Sequence, residues 1–207
     1  PQEGDLERLI LAAHRDARGF RDSASHLIQL FTGGHIEGAA SDVLLALFET
    51  EDTDELRELL RGLWGARVSA DLEERLVELA QTRDRELYHD VVYFALSTLQ
   101  GKSPAVLAEL FRAAQDPDHS NSGRALWGLG FGVEPGQSDL VADFAVDYFA
   151  ARGTASARSD ALDLLEEYTG PLQLSDVRTL ATNDLLSDRE RERLAALVAR
   201  VEAAQED

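Results

Sequence analysis

Cysteine and methionine are both missing from this 207-residue chain, and lysine occurs once, at Lys102. Without cysteine there is no disulfide framework, no thiol nucleophile and no thiolate ligand for zinc. The apolar runs are short and broken by charge, far below the ~20 residues a membrane-spanning helix needs, so no membrane partner is expected. Positive charge is scarce too: 20 basic residues stand against 39 acidic ones, a formal net charge of −19. Such a chain repels phosphate backbones and anionic lipid, so no nucleic acid is expected as a partner, while a basic protein would be steered toward it. The same charge also serves solubility. Residue 1 is Pro rather than Met, from which we expect a processed N-terminus; a cytoplasmic location is favoured, with a processed secreted or periplasmic form as the alternative.

What the chain does have is a period. Gly123-Arg124-Ala-Leu-Trp127-Gly128-Leu-Gly130-Phe131-Gly132 shares its helical spacing with Leu56-Arg57-Glu58-Leu59-Leu60-Arg61-Gly62-Leu63-Trp64-Gly65 and with Ala157-Arg158-Ser159-Asp160-Ala161-Leu162-Asp163-Leu164-Leu165. Marker positions 21, 57, 92, 124, 158 and 191 follow one another at 36, 35, 32, 34 and 33 residues. A near-constant period of this size is the mark of stacked helical repeats. The first helices of the pairs are expected at Leu6–Arg15, Ile36–Glu49, Leu72–Thr82, Ala105–Ala114, Leu140–Arg152 and Leu174–Thr182. The second helices, which carry the markers, are expected at Arg21–Phe31, Asp54–Trp64, Glu86–Leu99, Ser120–Phe131, Ala155–Tyr168 and Asp188–Glu202. No segment sustains strict alternation, so no strand is expected.

The punctuation agrees with that spacing. Gly33-Gly34, Gly65, Gly101, Gly132, Gly136 and Gly170-Pro171 fall between pairs, where a helix stops and the chain reverses. Asp54, Asn121 and Asp188 sit three residues before their markers as candidate caps, and Ser103-Pro104 opens a helix with Pro in its first turn. The predicted architecture is all-α: a right-handed α-solenoid of about six antiparallel helix pairs. One domain is expected over 1–207, with repeats at roughly 1–34, 35–67, 68–101, 102–135, 136–170 and 171–207.

The second-helix pattern, best seen at Ala157-Arg158-x-x-Ala161-Leu162-x-Leu164-Leu165 and Gly123-Arg124-x-x-Trp127-Gly128-x-Gly130-Phe131-Gly132, resembles the HEAT repeat, particularly the shorter bacterial HEAT-like kind. The resemblance spans nearly the whole chain and implies architecture only. It implies that second helices line the concave face and that turn Asp and helix Arg form a ladder, here Asp52 with Arg57, Asp118 with Arg124 and Asp188 with Arg191. Val92 replaces the arginine in the third repeat, and the turn Gly153-Thr154 lacks the acid in the fifth.

Motifs that would carry chemistry fail on context. His89-Asp90 is similar to the pair of the HD phosphohydrolases, but a metal site needs further converging ligands, and His35 lies 54 residues earlier. Asp116-Pro-Asp118-His-Ser120-Asn-Ser122 alternates oxygens like a calcium loop, yet Asn121 and Trp127 stand where Gly and Glu are required. Gly128-Leu-Gly130-Phe-Gly132 follows no strand, so it is no dinucleotide loop; interior glycines there point to close helix packing, with Trp127 read as core. His14, His26, His35 and His119 share no ligand spacing. No catalytic residue, cofactor site or metal site is assigned.

What remains is the concave face. Register from the markers turns Glu55, Glu58, Asp90, Tyr93, Ser97, Ser159, Asp163 and Glu192 outward, carboxylates around a tyrosine suited to an Arg/Lys-rich peptide. The expected function is a non-enzymatic scaffold that binds a protein or peptide, possibly a basic one, on this acidic surface. The alternatives are an antitoxin or immunity-type protein capping a basic partner, or a HEAT-like enzyme of the bilin lyase or DNA glycosylase type. The glycosylase reading conflicts with the acidity.

Overall fold

The computed structural model describes residues 35–49, 53–81, 85–116, 122–151 and 155–206. The expected first pair, Leu6–Arg15 with Arg21–Phe31, lies outside these residues, as do Asp52, Asp118, Asn121 and the turn at Gly153-Thr154. The fold is all-α. Its helices are α1 (Ala39–Leu47), α2 (Thr53–Gly62), α3 (Ala70–Ala80), α4 (Arg85–Asp90), α5 (Pro104–Gln115), α6 (Ser122–Gly130), α7 (Ser138–Ala151), α8 (Ala155–Tyr168), α9 (Leu174–Ala181) and α10 (Asp188–Glu206). These agree in order and nearly in extent with the periodicity. Helix α4 continues as one wide π turn, Val91–Ala95, and a 3-10 turn, Leu96–Thr98.

The chain divides into two compact units, one ending at Gly132 and the other starting at Val133. In the first unit α1 packs on α3 and α3 on α5, while α2 packs on the π turn after α4, and that segment on α6. First helices thus follow first helices and second helices follow second helices. The second unit repeats the scheme, with α7 on α9 and α8 on α10, and pairs α7 with α8 and α9 with α10. Amphipathic spacing explains it: Leu56, Leu59, Leu60 and Leu63 of the α2 segment are buried, as are Leu72, Leu76 and Ala80 of the α3 segment.

One expectation needs correction. Among the described residues there are two short strands, β1 (His35–Ile36) and β2 (Arg67–Val68), paired in parallel with Ile36 opposite Val68. Two residues are too few to show alternation, so periodicity could not find them. They begin a longer backbone seam between successive connectors of the first unit. The Ser69 N–H donates to Ile36 O at 2.9 Å, the Gly65 N–H to Thr98 O at 3.1 Å, the Gln100 N–H to Ala66 O at 2.9 Å and the Gly101 N–H to Gly132 O at 3.0 Å. Gly132 is required there: its φ is +66°, and a Cβ would come within 2.9 Å of Leu99 O.

Helix starts also differ in detail from the expected caps. Ser69 and Ser103 cap α3 and α5 by accepting from the N–H of Leu72 and Val106, both at 3.3 Å. At α10 the cap is Ser187 rather than Asp188: its Oγ accepts from the Glu190 N–H at 3.3 Å, and the Glu190 carboxylate accepts in return from the Ser187 N–H at 2.7 Å. His89, three residues before the marker Val92 and so in the slot that Asp54, Asn121 and Asp188 hold elsewhere, lies inside α4.

The lone lysine is internal. Lys102 is buried, and its Nζ donates to Leu99 O at 2.6 Å and to Phe131 O. Burial pulls its pKa down to about 7, with the Glu73 carboxylate acting in the opposite direction. Glu73, also buried, accepts from the Ser103 N–H at 3.2 and 3.3 Å, and desolvation pushes its pKa up.

Candidate functional site

Burial corrects the register on the second helices. In the α2 segment Leu59, Leu60 and Leu63 are buried; in α6 the corresponding residues are Ala125, Leu126 and Leu129. Leu126, not Trp127, therefore answers to Leu60, and the fourth repeat is offset by one residue from the arginine marker. After α4 the buried residues are Val91, Val92 and Ala95, so Val92 answers to Leu60 rather than to the arginine marker. Arg124 then shares a row with Glu58 and Asp90, and Trp127 shares the next row with Arg61 and Tyr93. Trp127 is 42 % exposed rather than core.

The π turn accounts for the other departure. It inserts about one residue into the helical ladder, rotating the remainder of the segment by roughly a third of a revolution. Tyr93 stays outside at 38 % exposure, while Ser97, expected on the same outward face one turn later, is fully buried and donates to Tyr93 O at 3.0 Å. Ser97 lies against Gly128, where a Cβ would stand 2.6 Å from Ser97 Cα. The interior glycine is there because the two segments nearly touch.

These adjustments bring four large side chains together on the surface of the first unit. The Arg124 guanidinium carbon lies 3.9 Å from the Trp127 ring centroid, 4.6 Å from that of Trp64 and 5.3 Å from that of Tyr93. Phe131 stacks on Trp127 at 4.9 Å and 25°, and Phe94 meets Tyr93 edge-on at 4.9 Å. Trp64 and Trp127, the only tryptophans of the chain, are 45 % and 42 % exposed. Arg124 is half-buried; its Nε and Nη2 are closed to water and have no acceptor among the described residues. Burial lowers its pKa, but a guanidinium stays charged in a protein, so among the described residues a positive charge rests here on ring faces alone.

The other marker arginines behave differently. Arg57 donates from Nε to Asp90 Oδ2 at 2.8 Å, and Arg158 donates from Nε to Glu190 Oε1 at 2.7 Å, each pair reaching into the following second helix. Arg191 lies 3.7 Å from Asp188, within its own helix. Arg57 and Arg158 thus each reach an acid one repeat on, the expected Asp188–Arg191 contact is present within α10, and Asp52 and Asp118 lie outside the described residues.

The expected partner-binding residues fall in both units. In the first, Glu58 pairs with Arg61, Asp90 with Arg57, Glu55 is half-buried, Tyr93 joins the aromatic cluster and Ser97 is internal. In the second, Asp163 pairs with Arg193 at 2.6 Å, Ser159 is exposed beside Ser187 and Arg193, and Glu192 is exposed. Trp64, Arg124 and Trp127 were missed as a site because the markers read them as helix signature. The available signal was two tryptophans, each followed by glycine, in a chain with 7 % aromatics.

Elsewhere, α7 and α9 border an open groove lined by Asp143, Asp147, Asp176, Val146 and Thr179. Among the described residues no group of three or more His, Asp or Glu is placed to hold a metal ion, and no helix is long and apolar enough to cross a membrane. Compared with known proteins, the chain matches no family model and no curated protein sequence.

Proposed function

We propose that this chain is a non-enzymatic binding module of HEAT-like, antiparallel helical repeats, each unit stacked in the manner of a right-handed α-solenoid. It holds a protein or peptide segment on the second-helix face of its first unit. One observation carries the reading: Trp64, Tyr93 and Trp127 gather around Arg124 at the surface. Tryptophan, tyrosine and arginine are the residues that dominate the energetics of protein–protein contacts, and a large apolar cluster left in water is a favoured docking surface. The carboxylates expected to carry an acidic surface, Glu58 and Asp90, are paired with arginines of the same face. This shifts the anchor from charge to rings.

The test is selection from a random peptide display library against the wild-type chain and against the W64A/W127A double variant. Both indoles are nearly half exposed, so the variant keeps its fold, as circular dichroism will show. Peptides retained by the wild type and lost at least about 100-fold by the variant support the reading, given hot-spot contributions of about 2 kcal/mol or more per residue. Peptides retained equally by both overturn it.

A further inference from the structure

Resting on that reading, we infer that the aromatic cluster recognises an acidic segment: a side-chain carboxylate of the partner pairs with Arg124, while a neighbouring apolar residue packs on Trp64 and Trp127. This reverses the basic partner suggested by net charge. Net charge governs long-range steering, whereas the contact is decided by the charges that are left without counterparts at the surface.

Three features of the first unit point this way. In the row Glu58, Asp90 and Arg124, both carboxylates already have an arginine, so the uncompensated charge is positive. Arg124 also differs from Arg57, Arg158 and Arg191, each of which has a carboxylate within 3.7 Å. Finally, Arg124 has two guanidinium nitrogens shut off from water without an acceptor among the described residues, an unfavourable state that an incoming anion would relieve. Rings on several sides lower the local dielectric, which strengthens a guanidinium–carboxylate pair, and the planar fork favours two-point contact with a carboxylate. The half-exposed Trp127 indole, stacked on Phe131, is the part that gives way as the carboxylate enters.

The peptides selected on the wild-type chain provide the experiment, remade with acetylated N-termini and amidated C-termini. Trp64 and Trp127 emission reads binding directly, since no other indole is present. Tryptophan-dependent peptides are expected to carry Asp or Glu next to an aromatic or aliphatic residue. Changing that acid to Asn or Gln should weaken binding to the wild type at least tenfold and binding to R124Q less than twofold. R124K keeps the charge but loses the fork, and should fall between the two. The peptide-side substitution leaves the protein untouched, so it decides the matter even where R124Q melts early. Tryptophan-dependent peptides that lack an acid, prefer Arg or Lys, need a free C-terminus, or tolerate the amide within twofold overturn this inference and leave the binding function standing. Peptides that ignore the tryptophans remove both.

Discussion

Arg158 and Glu190 are 32 positions apart in the chain, yet their side chains meet at 2.7 Å with only 6 % and 8 % of their surfaces reaching water. The pair joins α8 to α10, and Glu190 simultaneously closes the first turn of α10 through Ser187. Glu190 is pulled down to about 2, first by the hydrogen bonds from Arg158 and then by those from Ser187. A depressed carboxyl stabilises the folded state at pH above its ordinary value of 4.5 and loses that contribution as pH falls from there toward 2.

Removing one partner of such a pair leaves the other charge buried and alone. E190Q is therefore expected to cost about 3 kcal/mol at pH 7, measured by urea denaturation. Between pH 4.5 and 3 the wild type should lose stability faster than E190Q, so the gap between them narrows; a constant gap would show that the pair carries no linked proton.

Gly128 makes a prediction that opposes helix propensity. Alanine would favour the α6 helix by about 1 kcal/mol, but its methyl group would sit 2.6 Å from the Ser97 Cα, and backbone cannot step aside as a side-chain tip can. G128A should lower the melting temperature by roughly 5 °C or more. G136A, where no atom lies within 4 Å, is the control and should stay within about 1 °C.

Lys102 gives the stability a rising limb above neutrality. Its pKa is about 7 when folded and 10.5 ordinarily, so between those values the unfolded chain holds more protons and stability increases with pH. The slope is at most about 1.4 kcal/mol per pH unit for one proton. K102M should abolish the limb between pH 7.5 and 9.5 in urea titrations; a limb of unchanged slope would assign it to another group.

How far the sequence disclosed this molecule depends on the range over which each feature is determined. Helix order, the glycine-marked connectors and the Ser103 cap depend on local spacing and are legible residue by residue. Ser97 and Trp127 are not, because each depends on an offset of a single residue. The π turn at Val91–Ala95 rotates Ser97 inward, and the arginine marker in the fourth repeat lies one place from the true register. Arg57 was legible as a ladder residue, but its partner Asp90 belongs to the next repeat, a tertiary choice no local pattern reveals. The aromatic cluster needed three second helices in contact before Trp64, Tyr93 and Trp127 could be recognised as neighbours.

The backbone seam from Ile36 through Val68 and Gln100 to Gly132 has a bearing on how such a chain can evolve. Hydrogen bonds between main-chain atoms constrain side chains little except at a position such as Gly132, so much of the connector sequence can drift while its spacing cannot. An insertion there would put neighbouring connectors out of step, whereas the same insertion elsewhere in a repeat leaves the seam aligned. The seam acts as a ruler for the connectors of the first unit: away from Gly132 it leaves residue identity open, but it fixes how many residues each connector spends along it.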